Sequence, residues 1–167
     1  MRTGKTWGLS SLFLTLLSLM ATAATDYQAE VRAASARLLS NSRSPEGKQS
    51  DFAGLVDLLG SMAREEAALP QNARTRILEA ADSFRANPSL EGPGPAALGR
   101  AWRELSGGRA FTFPPEVRDI SQATKQVQVR IDGCLAALGS GDRARAIRDL
   151  LEALLMIATP MEAAENR

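Results

Sequence analysis

Residues 117–138 read VRDISQATKQVQVRIDGCLAAL. Val117, Ile120, Thr124, Val127, Ile131, Cys134 and Leu138 recur at steps of three and four, the spacing of a helix seam that faces another helix. Within the same stretch, Gln126–Asp132 (QVQVRID) alternates polar and apolar residues, which is the period of a half-buried strand. The helical register runs longer and decides for a helix, with a strand kept as the local alternative. Working outward, Gly139-Ser140-Gly141-Asp142 is a tight turn, and Asp142 is placed to cap the next helix. Ile147, Leu150, Leu151, Leu154, Ala158 and Met161 then continue an apolar stripe, which Pro160 kinks or stops. A hairpin over 116–165 is therefore the expected C-terminal unit.

Upstream, the same signals recur. Thr25 followed by Gln28 fits a capping box for a first helix running to about Leu39, with Val31, Ala34 and Leu38 on one side. Ser44-Pro45-Glu46 is a strong helix start, and Phe52, Leu55, Val56, Leu59, Met62 and Ala63 form a stripe behind it. Pro70 opens a third helix to about Arg85, carrying Ile77, Ala81 and Phe84. Asn87–Pro95 (NPSLEGPGP) reads as a loop. Leu98, Ala101, Trp102 and Leu105 mark a short helix ended by Gly107-Gly108, and Phe111–Pro115 (FTFPP) reads as extended. These elements predict an all-α fold: an up-down bundle of four main helices, with 87–115 as a loop and short-helix flap. The first helices occupy 25–86, and 25–167 forms a single helical domain.

The first 24 residues predict a secretory signal peptide. Arg2 and Lys5 precede an uncharged apolar run, Leu9–Met20, and Ala21-Thr22-Ala23-Ala24 follows with small residues suited to cleavage after Ala23 or Ala24. The run is short for a membrane span, which takes about 20 apolar residues. The expected location is periplasmic or secreted, with no stable membrane insertion after cleavage. Losing Arg2 and Lys5 turns a net charge of +1 into −1 over just over 140 residues. That balance exerts no long-range pull on nucleic acid, so no nucleic-acid partner is expected.

The chain has no His and a single Cys, Cys134. The absence of His removes the commonest general base and the usual ligands of zinc and haem. One Cys excludes an internal disulfide, and its place in the seam reads as a small buried apolar residue. No metal, haem or other cofactor is expected. Glu65-Glu66, with Asp57 and Arg64 nearby, reads as the solvated face opposite the Phe52–Met62 stripe, since paired catalytic carboxylates need convergence from different elements.

Ile131-Asp132, Leu135, Gly141 and the long final helix together resemble the last hairpin of the b562-type cytochromes. The resemblance implies a bundle. It also implies a haem-ligating histidine near the end of the last helix, where this chain has Met161, and a methionine in the first helix, where Asp26–Leu39 contains none. It therefore implies the fold without the haem.

Two features are left for function. Arg143, Arg145 and Arg148 crowd the start of the final helix, where the macrodipole disfavours cations, and so mark an anion or carboxylate contact or an exposed polar face. Leu150–Ala158 (LLEALLMIA) has one polar residue, so Leu155, Met156 and Ile157 exceed what one bundle face requires. Either the flap bearing Leu98, Trp102 and Phe111 covers the surplus, or a partner does. The leading expectation is a non-enzymatic exported bundle that works by contact with a protein partner or a second copy of itself. A carrier or sensor holding a small apolar ligand between helices is the alternative, and a carboxylate-based hydrolase is the second.

Overall fold

The computed structural model describes residues 26–161. Six helices and no strand occur among them: α1 (Tyr27–Leu38), α2 (Pro45–Glu65), α3 (Gln71–Ala86), α4 (Gly94–Leu105), α5 (Ile120–Gly139) and α6 (Arg143–Ala158). The proposed signal peptide lies outside the described residues.

Short polar side chains start most of these helices. Asp26 accepts from Ala29 N at 3.0 Å, Ser44 from Gly47 N at 3.1 Å, Asp119 from Gln122 N at 2.8 Å and Asp142 from Arg145 N at 3.1 Å. Each satisfies one of the N–H groups that a helix start leaves without a partner. For α1 this corrects the expected box. Thr25 lies outside the described residues, and the Gln28 amide reaches across to α5, donating to Leu135 O at 3.0 Å.

Gln126–Asp132 is helical throughout. Turned at the helical period, Val127 and Ile131 join Cys134 inside the protein at 3%, 1% and 0% exposure, while Val129 is left outside at 55%. Burial of three stripe residues outweighs a local alternation that would serve only a strand. The seam itself needs two corrections. Ile120 is 75% exposed, and Ala123 rather than Thr124 takes the inward position. The cause is length: α5 has 20 residues and α6 has 16, and a tight turn pairs them from the turn backwards. The first turn of α5 therefore projects past the end of its partner.

Successive helices joined by short connections pack on one another: α1 on α2, α2 on α3, α3 on α4, and α5 on α6. Three further contacts close the fold, α1 with α5, α2 with α6 and α4 with α6. Two four-helix circuits result, α1–α2–α6–α5 and α2–α3–α4–α6, sharing the central pair α2 and α6. The segment expected as a flap is part of this core. Ala97, Leu98 and Ala101 of α4 are 1%, 0% and 0% exposed, and one continuous apolar cluster runs through all six helices.

A polar tie fixes the entry to α2. Asp51, 5% exposed, receives Arg37 Nε at 3.1 Å and Arg43 Nε at 2.9 Å. Burial pushes its carboxyl up, but the hydrogen bonds from Arg43 and Arg37 outweigh this and hold it below its ordinary value. A carboxyl with a lowered folded-state pKa stabilises the fold above its unfolded value of about 3.9 and loses that contribution as pH falls towards the folded one. Asp51→Asn is expected to cost about 1–2 kcal/mol at neutral pH, the exposure of both guanidiniums keeping it below a fully buried pair. Denaturant titrations should show the gap closing below about pH 4; a gap that persists there would assign Asp51 a purely steric role.

Candidate functional site

The three arginines of α6 are tied to three different parts of the chain. Arg143 stands at the positive end of α6, and Glu65 is the last residue of α2, at its negative end. Each is misplaced with respect to its own helix dipole, and they meet at 3.4 Å (Arg143 Nη1 to Glu65 Oε2), which offsets both. Tyr27, the first residue of α1, completes the cluster. Its hydroxyl donates to Glu65 Oε1 at 2.8 Å, and the Arg143 guanidinium lies 5.8 Å from its ring centre. Burial, followed by the hydrogen bond and charge of Glu65, pushes the Tyr27 phenol up to about 12 against the opposing Arg143. Arg148 donates to Leu105 O at 3.1 Å and so satisfies a terminal carbonyl of α4. Arg145 lies 3.7 Å from Asp149. The crowding thus marks carboxylate and carbonyl contacts within the chain, and the three side chains do not converge on one recess.

The apolar surplus of α6 is covered in large part by the chain. Leu155 and Met156 are 3% and 4% exposed. The extended Phe111–Phe113 segment continues an aromatic run from α4: Trp102 meets Phe111 edge-on at 5.9 Å, and Phe111 meets Phe113 at 5.6 Å. Phe111 and Phe113 in turn pack on a small cluster of Val127, Ile131, Ala153 and Met156. Of the residues singled out on α6, Ile157 stays partly open.

Ile157 belongs to a recess that the sequence did not reveal. Where α5 overruns α6, Leu39, Ile120, Val127, Met156, Ile157 and Met161 line a groove of about 240 Å³, completed by Ala123 and two threonines, with no charged side chain in its wall. The sequence signal for it was the mismatch in helix length, since Ile120 continues the α5 stripe beyond the point where Pro160 has ended α6.

Two other recesses differ in character. One of about 460 Å³ between α2 and α3 includes Phe84 and Ala81, which are 1% and 3% exposed, and its rim carries the Asp57–Arg85 ion pair at 2.6 Å. It is a dent beside Gly54, where an added Cβ would meet nothing within 4 Å. The other, about 330 Å³, lies beside the Tyr27–Arg143 contact. The two helix starts at that pole are already capped by Asp26 and Asp142.

Cys134 is fully buried, and burial, with the charge of Asp149 behind it, pushes its thiol up to about 12, so it stays protonated and unreactive. Glu65, Glu66 and Asp57 face separate partners: Tyr27 and Arg143, the Ala68 N–H, and Arg85. Among the described residues, no three His, Cys, Asp or Glu side chains gather as metal ligands, and no helix is long and apolar enough to cross a membrane. Comparison with protein families, with curated proteins and with solved structures finds no match to this chain.

Proposed function

We propose that the protein is an exported, non-enzymatic up-down helical bundle that acts by contact with another protein, and that the uncharged groove at the open end of the α5–α6 hairpin receives an apolar side chain or short apolar segment of that partner. One observation carries the reading: Ile120, a large apolar residue, is 75% exposed at the lip of a groove whose walls are otherwise apolar or hydroxylic. Contiguous exposed apolar surface on a soluble protein marks contact sites more often than isolated exposed residues do. The volume favours a partner over a carried ligand, because small-molecule pockets run from about 300 to 1,000 Å³ and bury most of the ligand. A carboxylate hydrolase would need two acids facing each other across a cleft; the acids of α2 are held by Tyr27, Arg143 and Arg85 instead. The export part of the reading rests on Arg2, Lys5, Leu9–Met20 and the small residues to Ala24.

A photo-crosslinking residue at position 120 tests the contact. Position 129 is the control, being exposed as well but nine residues along α5 and so on the opposite face. The expected result is one defined crosslinked product from position 120, a dimer of this chain or a heterologous adduct, and none from position 129. Equal labelling at both, or none at either, would overturn the reading. Mass spectrometry of the exported protein should find a chain beginning at Ala24 or Thr25; an intact Met1 would overturn export with cleavage.

A further inference from the structure

Between α4 and α5 the chain lies across the α5–α6 hairpin as a strap outside any helix. The strap leaves α4 through Gly107 and Gly108, both at positive φ (69° and 87°), and ends where Val117 N donates to Pro114 O at 2.9 Å. Its near end is tied locally, Gly108 N to Arg103 O at 2.8 Å and Ser106 Oγ to Arg109 O at 2.8 Å. Residues 110–113 make no hydrogen bond among the described residues. Their side chains alternate as in any extended segment: Ala110 and Thr112 are exposed, Phe111 and Phe113 half-buried. Phe111 packs on both apolar clusters of the protein, whereas Phe113 packs on the smaller one alone, that of Val127, Ile131, Ala153 and Met156. Val127 and Met156 of this cluster also line the groove beside Ile120, so the groove runs on beneath the strap.

We propose that residues 109–115 are a hinged cover, which lifts from the α5–α6 hairpin while the six helices stay packed and so lengthens the groove into an apolar cleft. Segments open below the free energy of global unfolding where buried apolar contacts are few and the backbone makes no internal hydrogen bonds. The strap is such a segment, held over residues 110–113 by two half-buried rings. The helices do not need it, because the main cluster that joins all six does not include Phe113. Gly107 and Gly108 supply the hinge: they tolerate large dihedral changes, and a Cβ at either would meet nothing within 4 Å, so the turn has room to swing. At the far end Pro114 and Pro115 fix φ and keep the arm stiff. Phe113 leaves first, since Phe111 is braced edge-on against Trp102 at 5.9 Å. Val127, Ile131, Ala153 and Met156, at most 4% exposed with the strap down, are then uncovered. The strap thereby competes with a partner for Val127 and Met156. What enters the cleft rests on the groove reading above, whereas the lifting of the strap does not.

Limited proteolysis of the full chain with chymotrypsin tests it. The bond after Phe111 lies in extended backbone, while Pro114 blocks the bond after Phe113. Cleavage follows the population of the opened form when opening and closing are fast. Within residues 26–161 the first cut is expected after Phe111. Its rate, normalised to an unfolded substrate, should hardly change with urea below the unfolding transition, because lifting a strap exposes little surface. Phe113→Ala leaves the cut site in place and should speed that cut on the order of tenfold. The same variant should speed peroxide oxidation of Met156, 4% exposed in the covered cluster, and leave Met62, 0% exposed in the main core, as slow as before. A first cut within a helix, no cut after Phe111, or a rate that climbs with urea as steeply as global unfolding overturns the proposal. Equal oxidation of Met156 and Met62 overturns it too. The urea series uses the unsubstituted chain and decides the matter even where Phe113→Ala folds poorly. Neither readout involves a partner, so the strap and the contact at position 120 stand or fall separately.

Discussion

Leu98→Ala is expected to lower stability by about 3 kcal/mol, within the range of about 2–5 kcal/mol for truncating a buried leucine. Leu98 is 0% exposed, in the middle of α4, with Ala97 and Ala101 equally enclosed on either side. The surrounding helices α3 and α6 are held by their own contacts with α2 and cannot close over the space left behind. The cost is therefore lost transfer free energy plus a cavity. In a chain of this size such a loss lowers the melting temperature by on the order of 10 °C. A segment lying as a flap on a finished four-helix bundle would behave differently: its truncation would loosen the flap and leave the unfolding transition nearly unmoved. A change below about 1 kcal/mol in urea titrations, with an unchanged slope, would return α4 to that role.

The same helix shows where the sequence was legible and where it was not. Leu98, Ala101, Trp102 and Leu105 disclosed a helix with one apolar face. Nothing in that pattern says which neighbours the face meets, because periodicity is a local property and partner choice is not. The preceding NPSLEGPGP reads as a loop, yet its Gly94 opens α4 and lets it approach α3: a Cβ there would stand 2.5 Å from the buried Phe84 ring. A glycine kept for close packing looks, in sequence, like a glycine kept for a turn. The caps at Ser44 and Asp142 were legible, since each acts through a group three residues away, whereas those at Asp26 and Asp119 were not read. Ile120 was misread because the stripe on α5 continues regularly past the end of α6. The Tyr27–Glu65–Arg143 cluster was half legible. The misplaced cation at the start of α6 was visible, but its counterpart 78 positions earlier, an acid at the wrong end of α2, was not connected to it.

Leu155→Gln should be a strongly damaging change on the final helix, and Ile157→Gln, two residues on, a much milder one. Leu155 is 3% exposed within the main core, where a glutamine forfeits about 2 kcal/mol of apolar transfer. It also places an amide in the apolar cluster, where desolvation adds about 1–3 kcal/mol. The sum, about 3–5 kcal/mol, is a large fraction of the 5–15 kcal/mol that holds a typical domain together. Ile157 is only half enclosed, at the groove, so a glutamine there can turn its amide to water and should cost about 1 kcal/mol or less. The contrast separates the two explanations for the apolar surplus of α6. Were Leu155 covered by a partner, its substitution would spare the isolated chain and abolish association. With the cover supplied by the chain itself, Leu155→Gln destabilises a monomer, and Ile157→Gln leaves the fold intact while weakening whatever the groove holds. Urea midpoints of both variants, read alongside their sizes in solution, decide between these outcomes. A Leu155→Gln protein within about 1 kcal/mol of the unsubstituted chain would show that this face of α6 is not part of the folding core.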